Sequence, residues 1–126
     1  MSPAAGPPAL LQRFFTDRLL GQLGASPHTI VAYRDTFRLL LRFATAALGR
    51  APSALHLADL DAAFLGRFLD HLERERRNDP RTRNNRLCAL RAFARYVALQ
   101  EPALALHCQQ ILATPSKRYT RGRWSS

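Results

Sequence analysis

The sequence predicts an all-α fold, a compact bundle of four to five helices, on three observations. Apolar residues recur at the 3.6-residue helical spacing between breaks supplied by proline and glycine. No segment alternates apolar and polar residues long enough to make a strand, and no internal repeat of about 20 to 50 residues is visible. The length of 126 residues with 47% hydrophobic content supports one modest core and is too short for two well-packed domains.

Each element follows from local chemistry. Residues 1–8 form a Pro/Ala/Gly leader, read as flexible. Helix one covers 9–23, with Leu11, Phe14, Phe15, Arg18, Leu19 and Gln22 in helical register. Gly24-Ala25 breaks it. Ser26 is then an N-cap and Pro27 the first helical residue before a second helix over 28–48. Its apolar stripe is Ile30, Tyr33, Phe37, Leu40, Leu41, Ala44 and Leu48, with Arg34, Arg38 and Arg42 as a basic row on the flank. Residues 49–56 have loop chemistry. Asp59 is the expected cap of a third helix carrying Leu60, Phe64, Phe68, Leu69 and Leu72. The Arg74–Arg77 run suits that helix's C-terminus. Asp79 as cap and Pro80 at the first helical position start a fourth helix reaching about Gln100. Its core stripe is Leu87, Leu90, Phe93, Ala94 and Val97, while Arg81, Asn84, Asn85, Cys88, Arg91 and Arg95 spread over the other side. A short fifth helix covers 103–112. The domain thus spans 9–113, and 114–126 reads as a linker with four basic and no acidic residues.

Charge narrows the function. The 19 basic against 9 acidic residues give a net charge of +10, and a pI near 11.3 points to a polyanionic partner, nucleic acid before an anionic membrane surface. Residues 1–70 carry 7 basic and 5 acidic groups, residues 71–126 carry 12 and 4. Of the basic residues only Lys117 is a lysine; the arginines bring a planar fork that grips phosphate or a guanine edge bidentately. In 82–86 an N-terminal helical turn offers Thr82, Arg83, Asn84, Asn85 and Arg86 together with backbone N–H groups, a combination that positions phosphates and reads base edges. The phenylalanines fall on core stripes, which disfavours single-strand stacking.

Other chemistries find little support. There is no glycine-rich phosphate loop, no H-E-x-x-H and no G-x-S-x-G, and Asp59, Asp61, Asp70 and Glu73 read as helix caps and solvated positions. His28, His56, His71 and His107 are scattered, Cys88 and Cys108 lack metal-ligand spacing, and neither a metal, a cofactor nor a disulfide is expected. No signal-like n-region and no apolar run of about 18 residues or more is present, so a cytoplasmic protein without membrane or small-molecule partners is expected.

Three strings then match a family. SPHTIVAYRD (26–35) carries S-x-x-T-x-x-x-Y, residues 57–72 carry a D-L to F-L-x-x-L helix, and 82–96 carry T-x-N-x-R-L-x-A-L-R-x-F-x-x-Y. In that order they resemble the N-terminal core-binding, SAM-like domain of tyrosine recombinases of the phage-integrase and Xer type, over about residues 9–120. The resemblance implies an orthogonal SAM-like bundle forming half of a C-shaped clamp, its second and fourth helices crossing the major groove of double-stranded DNA. It makes His28, Thr29, Arg34 and Arg38 of helix two, and Arg81, Thr82, Arg83, Asn85, Arg86 and Arg91 of helix four, the DNA-contact candidates. Helical projection puts Arg83 and Arg86 closest to the core boundary, where bracing the domain is the competing role. Tyr33, Tyr96, Ile30 and Leu90 are expected core positions, and residues 10–23 an interface with neighbouring recombinase protomers.

The family's tyrosine nucleophile and its assisting arginines, lysine and histidines belong to a larger C-terminal domain that this sequence does not reach. His71-Leu72-Glu73-Arg74 imitates the family's H-x-x-R element inside a stretch already matched to helix three, and neither Tyr96 nor Tyr119 has the layer of cations a nucleophile needs. The resemblance therefore implies a DNA-binding part of an integrase of a mobile element, binding without cutting and not itself an enzyme. A stand-alone helical regulator of recombination sites and a protein-interaction bundle with solvated arginines are the competing readings.

Overall fold

Proline and capping chemistry cut the chain into helices where the apolar periodicity starts and stops. The computed structural model describes residues 7–22, 24, 26–76 and 80–115. Its α-helices are α1 (Pro7–Arg13), α2 (Pro27–Leu48), α3 (Ala62–Arg76), α4 (Pro80–Gln100) and α5 (Ala105–Leu112), with single 3-10 turns at Pro52–Ala54, Leu57–Asp59 and Pro102–Leu104. No strand occurs among the described residues, and the all-α prediction holds. No described helix is long and apolar enough to cross a membrane.

The first element differs most from expectation. The helix starts at Pro7, inside the expected leader, and Pro7 itself is buried. After Arg13 it changes to a π-helix over Phe14–Gln22 instead of continuing as α. A π turn bonds each N–H five residues back, and the buried pair here, Phe14 and Leu19, is five residues apart at 0% and 2% exposure. The sequence presents an α-like spacing, but the core selects the wider one. Leu10, Leu11, Phe14 and Leu19 are all buried within the domain.

α2 begins as expected. Ser26 has extended backbone and its hydroxyl accepts from the Thr29 N–H, Pro27 follows, and Gly49 closes the helix in the left-handed region at φ 66° with its N–H on the Thr45 carbonyl. The start of α3 is different. Asp59 lies in the preceding 3-10 turn, where its carboxylate accepts from the His56 N–H and pairs with Arg50 at 2.8 Å. Asp61 takes over the cap and accepts from the Phe64 N–H at 2.8 Å. Two aspartates two residues apart offered the cap, and Asp59 is already engaged by the turn before it. α4 starts at Pro80, whereas Asp79 lies outside the described residues, as do 116–126 of the expected linker. The fifth element divides at Ala105, because Pro102 opens a 3-10 turn before the α-helix begins.

These helices enclose one core. Phe14 sits at its centre, with ring centroids 5.5 Å from Phe93, 5.6 Å from Tyr96 and 6.2 Å from Phe37. That cluster ties the first element to α2 and α4 through edge-to-face and tilted contacts. Phe43 of α2 meets Phe64 and Phe68 of α3 at 5.3 and 5.7 Å. α5 packs on α4 and α3 through Cys108 and Ile111, and its His107 contacts the Leu60 carbonyl at 3.2 Å. Tyr96 and Leu90 are buried core residues, whereas Tyr33 and Ile30 are half-buried at its edge.

Candidate nucleic-acid interface

The residues left outside this core define two neighbouring basic helix surfaces. On α2, buried Phe37, Leu40 and Ala44 fix the inward side, which turns Arg34, Arg38 and Arg42 outward, and all three are exposed. They flank shallow grooves of about 400 and 450 Å³, floored by Leu11, Phe15 and Leu41 and by Leu41, Ala46 and Pro52. Arg34 lies over the Phe15 ring at 5.8 Å. Arg38 pairs with Asp35 at 2.8 Å, with two-thirds of its side chain still exposed. At the helix start His28 is exposed, while the Thr29 hydroxyl accepts from Ser26 at 3.1 Å and belongs to the cap.

On α4, Leu87, Leu90, Phe93, Ala94 and Val97 point inward. Arg81, Asn85, Cys88 and Arg95 are exposed along one line at spacings of four, three and seven residues. Thr82 and Asn84 are half-buried and engaged within the protein. Arg83 turns toward α3, where Nη1 donates to Asp70 Oδ1 at 2.7 Å and Glu73 Oε1 at 3.2 Å. Asp70 and Glu73, expected as solvated positions, are thus ion-paired. Arg91 is half-buried and donates from Nη2 to the Thr114 carbonyl at the end of α5.

α2 and α4 pack side by side, with the Phe37 and Phe93 rings 5.4 Å apart where they meet. Burial pushes the Arg86 guanidinium below its ordinary value, Asp35 of α2 opposes that shift and Arg76 of α3 reinforces it. Arg86 remains a cation even so. Burial likewise raises the Tyr33 hydroxyl, with Cys88 adding to the rise and Arg95 opposing it. The charges of Asp35 and Arg86, and of Tyr33 and Arg95, are thus felt across the α2–α4 boundary.

Of the sequence-derived candidates, His28, Arg34 and Arg38 on α2 and Arg81 and Asn85 on α4 are exposed, and Arg86 is half-buried. Thr29, Thr82, Arg83 and Arg91 have partners inside the domain. Arg42 and Arg95 are exposed on the same faces and were not among the candidates, although their spacing from Arg38 and Cys88 signals it. Among the described residues no group of three or more His, Cys, Asp or Glu could hold a metal.

Comparison with known proteins agrees with this architecture. Residues 11–101 match the family described as phage integrase, N-terminal SAM-like domain. A Sinorhizobium fredii protein named as an integrase/recombinase, y4rC, is 48% identical over 112 residues, covering 89% of this chain and 34% of the relative. A second from the same organism, y4rD, also named as an integrase/recombinase, is 43% identical over 109 residues, covering 86% of this chain and 39% of the relative. The chain spans about a third of the length of these relatives. No solved structure matches it. On the match across most of its helices, the chain belongs to the phage integrase family as its N-terminal SAM-like domain, the domain type of the tyrosine recombinases.

Proposed function

We propose that this domain binds double-stranded DNA through α2 and α4, in support of site-specific integration and recombination of a mobile element. One observation carries the reading. Two adjacent helices turn exposed guanidinium groups outward, Arg34, Arg38 and Arg42 on one and Arg81 and Arg95 on the other, with exposed Asn85 between the α4 pair and exposed His28 at the start of α2. Arginine rows on neighbouring helices suit a polyanion with regularly spaced charge, and an exposed amide among them supplies base-edge hydrogen bonding. Arg34, Arg38 and Arg81 act mainly on phosphate, Asn85 and Arg86 on groove edges, and His28, Thr29 and Thr82 at the helix N-termini. Arg91 contributes through the position of Thr114.

In this reading the domain holds DNA and does not itself cut it. Within this chain Tyr96 is buried in the core, and His71 stacks on Phe43 at 5.0 Å, so neither is presented to a scissile phosphate. The partners in this reading are duplex DNA and further recombinase protomers assembled on it, in the cytoplasm.

The test is the affinity of the chain for random-sequence duplex DNA between low and moderate salt, beside an Arg38→Ala, Arg81→Ala double variant with intact circular dichroism. A steep salt dependence is expected in the wild type, and the double variant flattens the slope by about two units, one per lost phosphate contact. Salt-independent binding, or a slope indifferent to both changes, overturns the reading in favour of a protein-interaction bundle.

A further inference from the structure

Arg83 stands two residues after Arg81 and two before Asn85. At about 100° per residue, positions two apart on a helix differ by roughly 200° and so face opposite sides. The side that Arg83 occupies is settled by its contacts. One guanidinium nitrogen donates to both Asp70 and Glu73, which are three residues apart on α3, and the Arg83 side chain retains 15% exposure against 19% for Glu73 and 56% for Asp70. This bridge joins the second half of α3 to the first turns of α4. The Arg83–Asp70 pair spans 13 residues of sequence.

We infer that Arg83 is a positioning residue for DNA binding: held against α3 by Asp70 and Glu73, it fixes the rotation of α4 so that Arg81 and Asn85 face outward. The inference rests on the DNA-binding reading of α2 and α4. A guanidinium held by two carboxylates would have to lose both before reaching a phosphate, at the cost of leaving the half-buried Glu73 carboxylate without it. The Arg81 and Asn85 side chains are exposed and open to the partner.

The experiment measures duplex affinity and its salt slope on the full chain for four variants. Arg83→Ala removes the cation. The Asp70→Asn, Glu73→Gln pair keeps the cation and removes its holders. Arg83→Lys restores a positive charge without the fork. Asp17→Asn with Glu75→Gln adds the same two units of charge as the carboxamide pair at exposed sites away from Arg83. A positioning role predicts that Arg83→Ala and the carboxamide pair both weaken binding, by roughly three- to tenfold, the size of coupling between contacting residues. They do so despite opposite changes in net charge, and combining all three substitutions adds little beyond either. The salt slopes of Arg83→Ala and of the carboxamide pair fall together, because both misplace the same Arg81 phosphate contact. Arg83→Lys recovers part of the affinity, and the Asp17, Glu75 control binds as well as the wild type or better.

The inference is overturned if the carboxamide pair binds more tightly than that control, since liberating Arg83 would then have created a DNA contact. A slope lowered by about one unit in Arg83→Ala but unchanged in the carboxamide pair has the same consequence. Absence of salt-dependent binding in the wild type overturns the DNA reading itself and this inference with it, whereas the two preceding outcomes overturn the inference alone.

Discussion

Arg34 and Arg38 lie one helical turn apart on α2 with different neighbours. Arg34 rests over the Phe15 ring, and Arg38 pairs with Asp35. Exposed pairs of this kind contribute about 0 to 1 kcal/mol, so Asp35 does not hold Arg38 away from a phosphate. Arg34→Ala and Arg38→Ala are each expected to weaken duplex binding to a similar degree across sequences and to lower the salt slope by about one unit, measured by titration at several salt concentrations. Residue type and spacing made this row legible in the sequence. They could not reveal the partners of Arg83 and Arg91, because Asp70, Glu73 and Thr114 reach them only when α3, α4 and α5 pack. The cysteines separate on the same ground. Cys88 is exposed and Cys108 buried, so a thiol reagent is expected to modify one cysteine of the native chain promptly and the second only on unfolding. Peptide mapping that finds Cys108 labelled first contradicts the packing of α5.

At the scale of elements, capping residues fix where the helices start and stop. Ser26 closes the start of α2 with a hydroxyl on the Thr29 N–H, and Ser26→Ala is expected to cost about 1 kcal/mol in denaturant unfolding. Gly49 ends the helix at φ 66°, and a Cβ there meets nothing within 4 Å. Gly49→Ala is therefore expected to cost about 1 kcal/mol from backbone conformation alone. A much larger loss would mean a steric clash that the geometry does not contain. The first cap was readable from Ser26-Pro27, whereas Gly49 reads in the sequence only as the start of a loop. The cap of α3 was not readable, because choosing between Asp59 and Asp61 depends on the 3-10 turn at Leu57–Asp59 that engages Asp59 first. The π segment after Arg13 was equally hidden. Its five-residue spacing is set by where Phe14 and Leu19 must enter the core, and 3.6-residue periodicity accommodates either helix type over so short a stretch.

The whole molecule depends on one continuous core that joins all five helices, and its charged surface is held on that frame. Phe14 is fully buried among Phe15, Phe37, Phe93 and Tyr96. Phe14→Ala is expected to destabilise the fold by about 3 to 5 kcal/mol, a large part of what a domain of this size has, and to reduce DNA binding only through the folded fraction. The fold was legible because apolar spacing and proline placement agree along the chain. The packing of α2 against α4 was not legible in local patterns, since none of them specifies which helices become neighbours.

Buried ionisable groups give that frame a pH dependence with a definite sign. Burial raises Cys108 above its ordinary thiol value of 9.0, and Tyr33 is raised above 10.0 chiefly by burial. In both, the folded state holds its proton where the unfolded chain releases it, so above about pH 9 the native state binds more protons. Stability is then fully present below the unfolded values and is lost as pH rises from them through the raised folded values. Denaturant midpoints are expected to be level from neutral pH to about pH 8, on the reference titration of thiols, and to fall beyond it. Cys108→Ala lowers the midpoint at neutral pH, because it leaves a small cavity beside Ile111 and Leu60, but removes the part of the decline that begins near the thiol value. The Tyr33 part persists at higher pH. A variant that declines as steeply as the wild type between about pH 8 and 9.5 would show that the Cys108 thiol titrates as freely in the folded protein as in the unfolded chain, and that α5 does not exclude water from it.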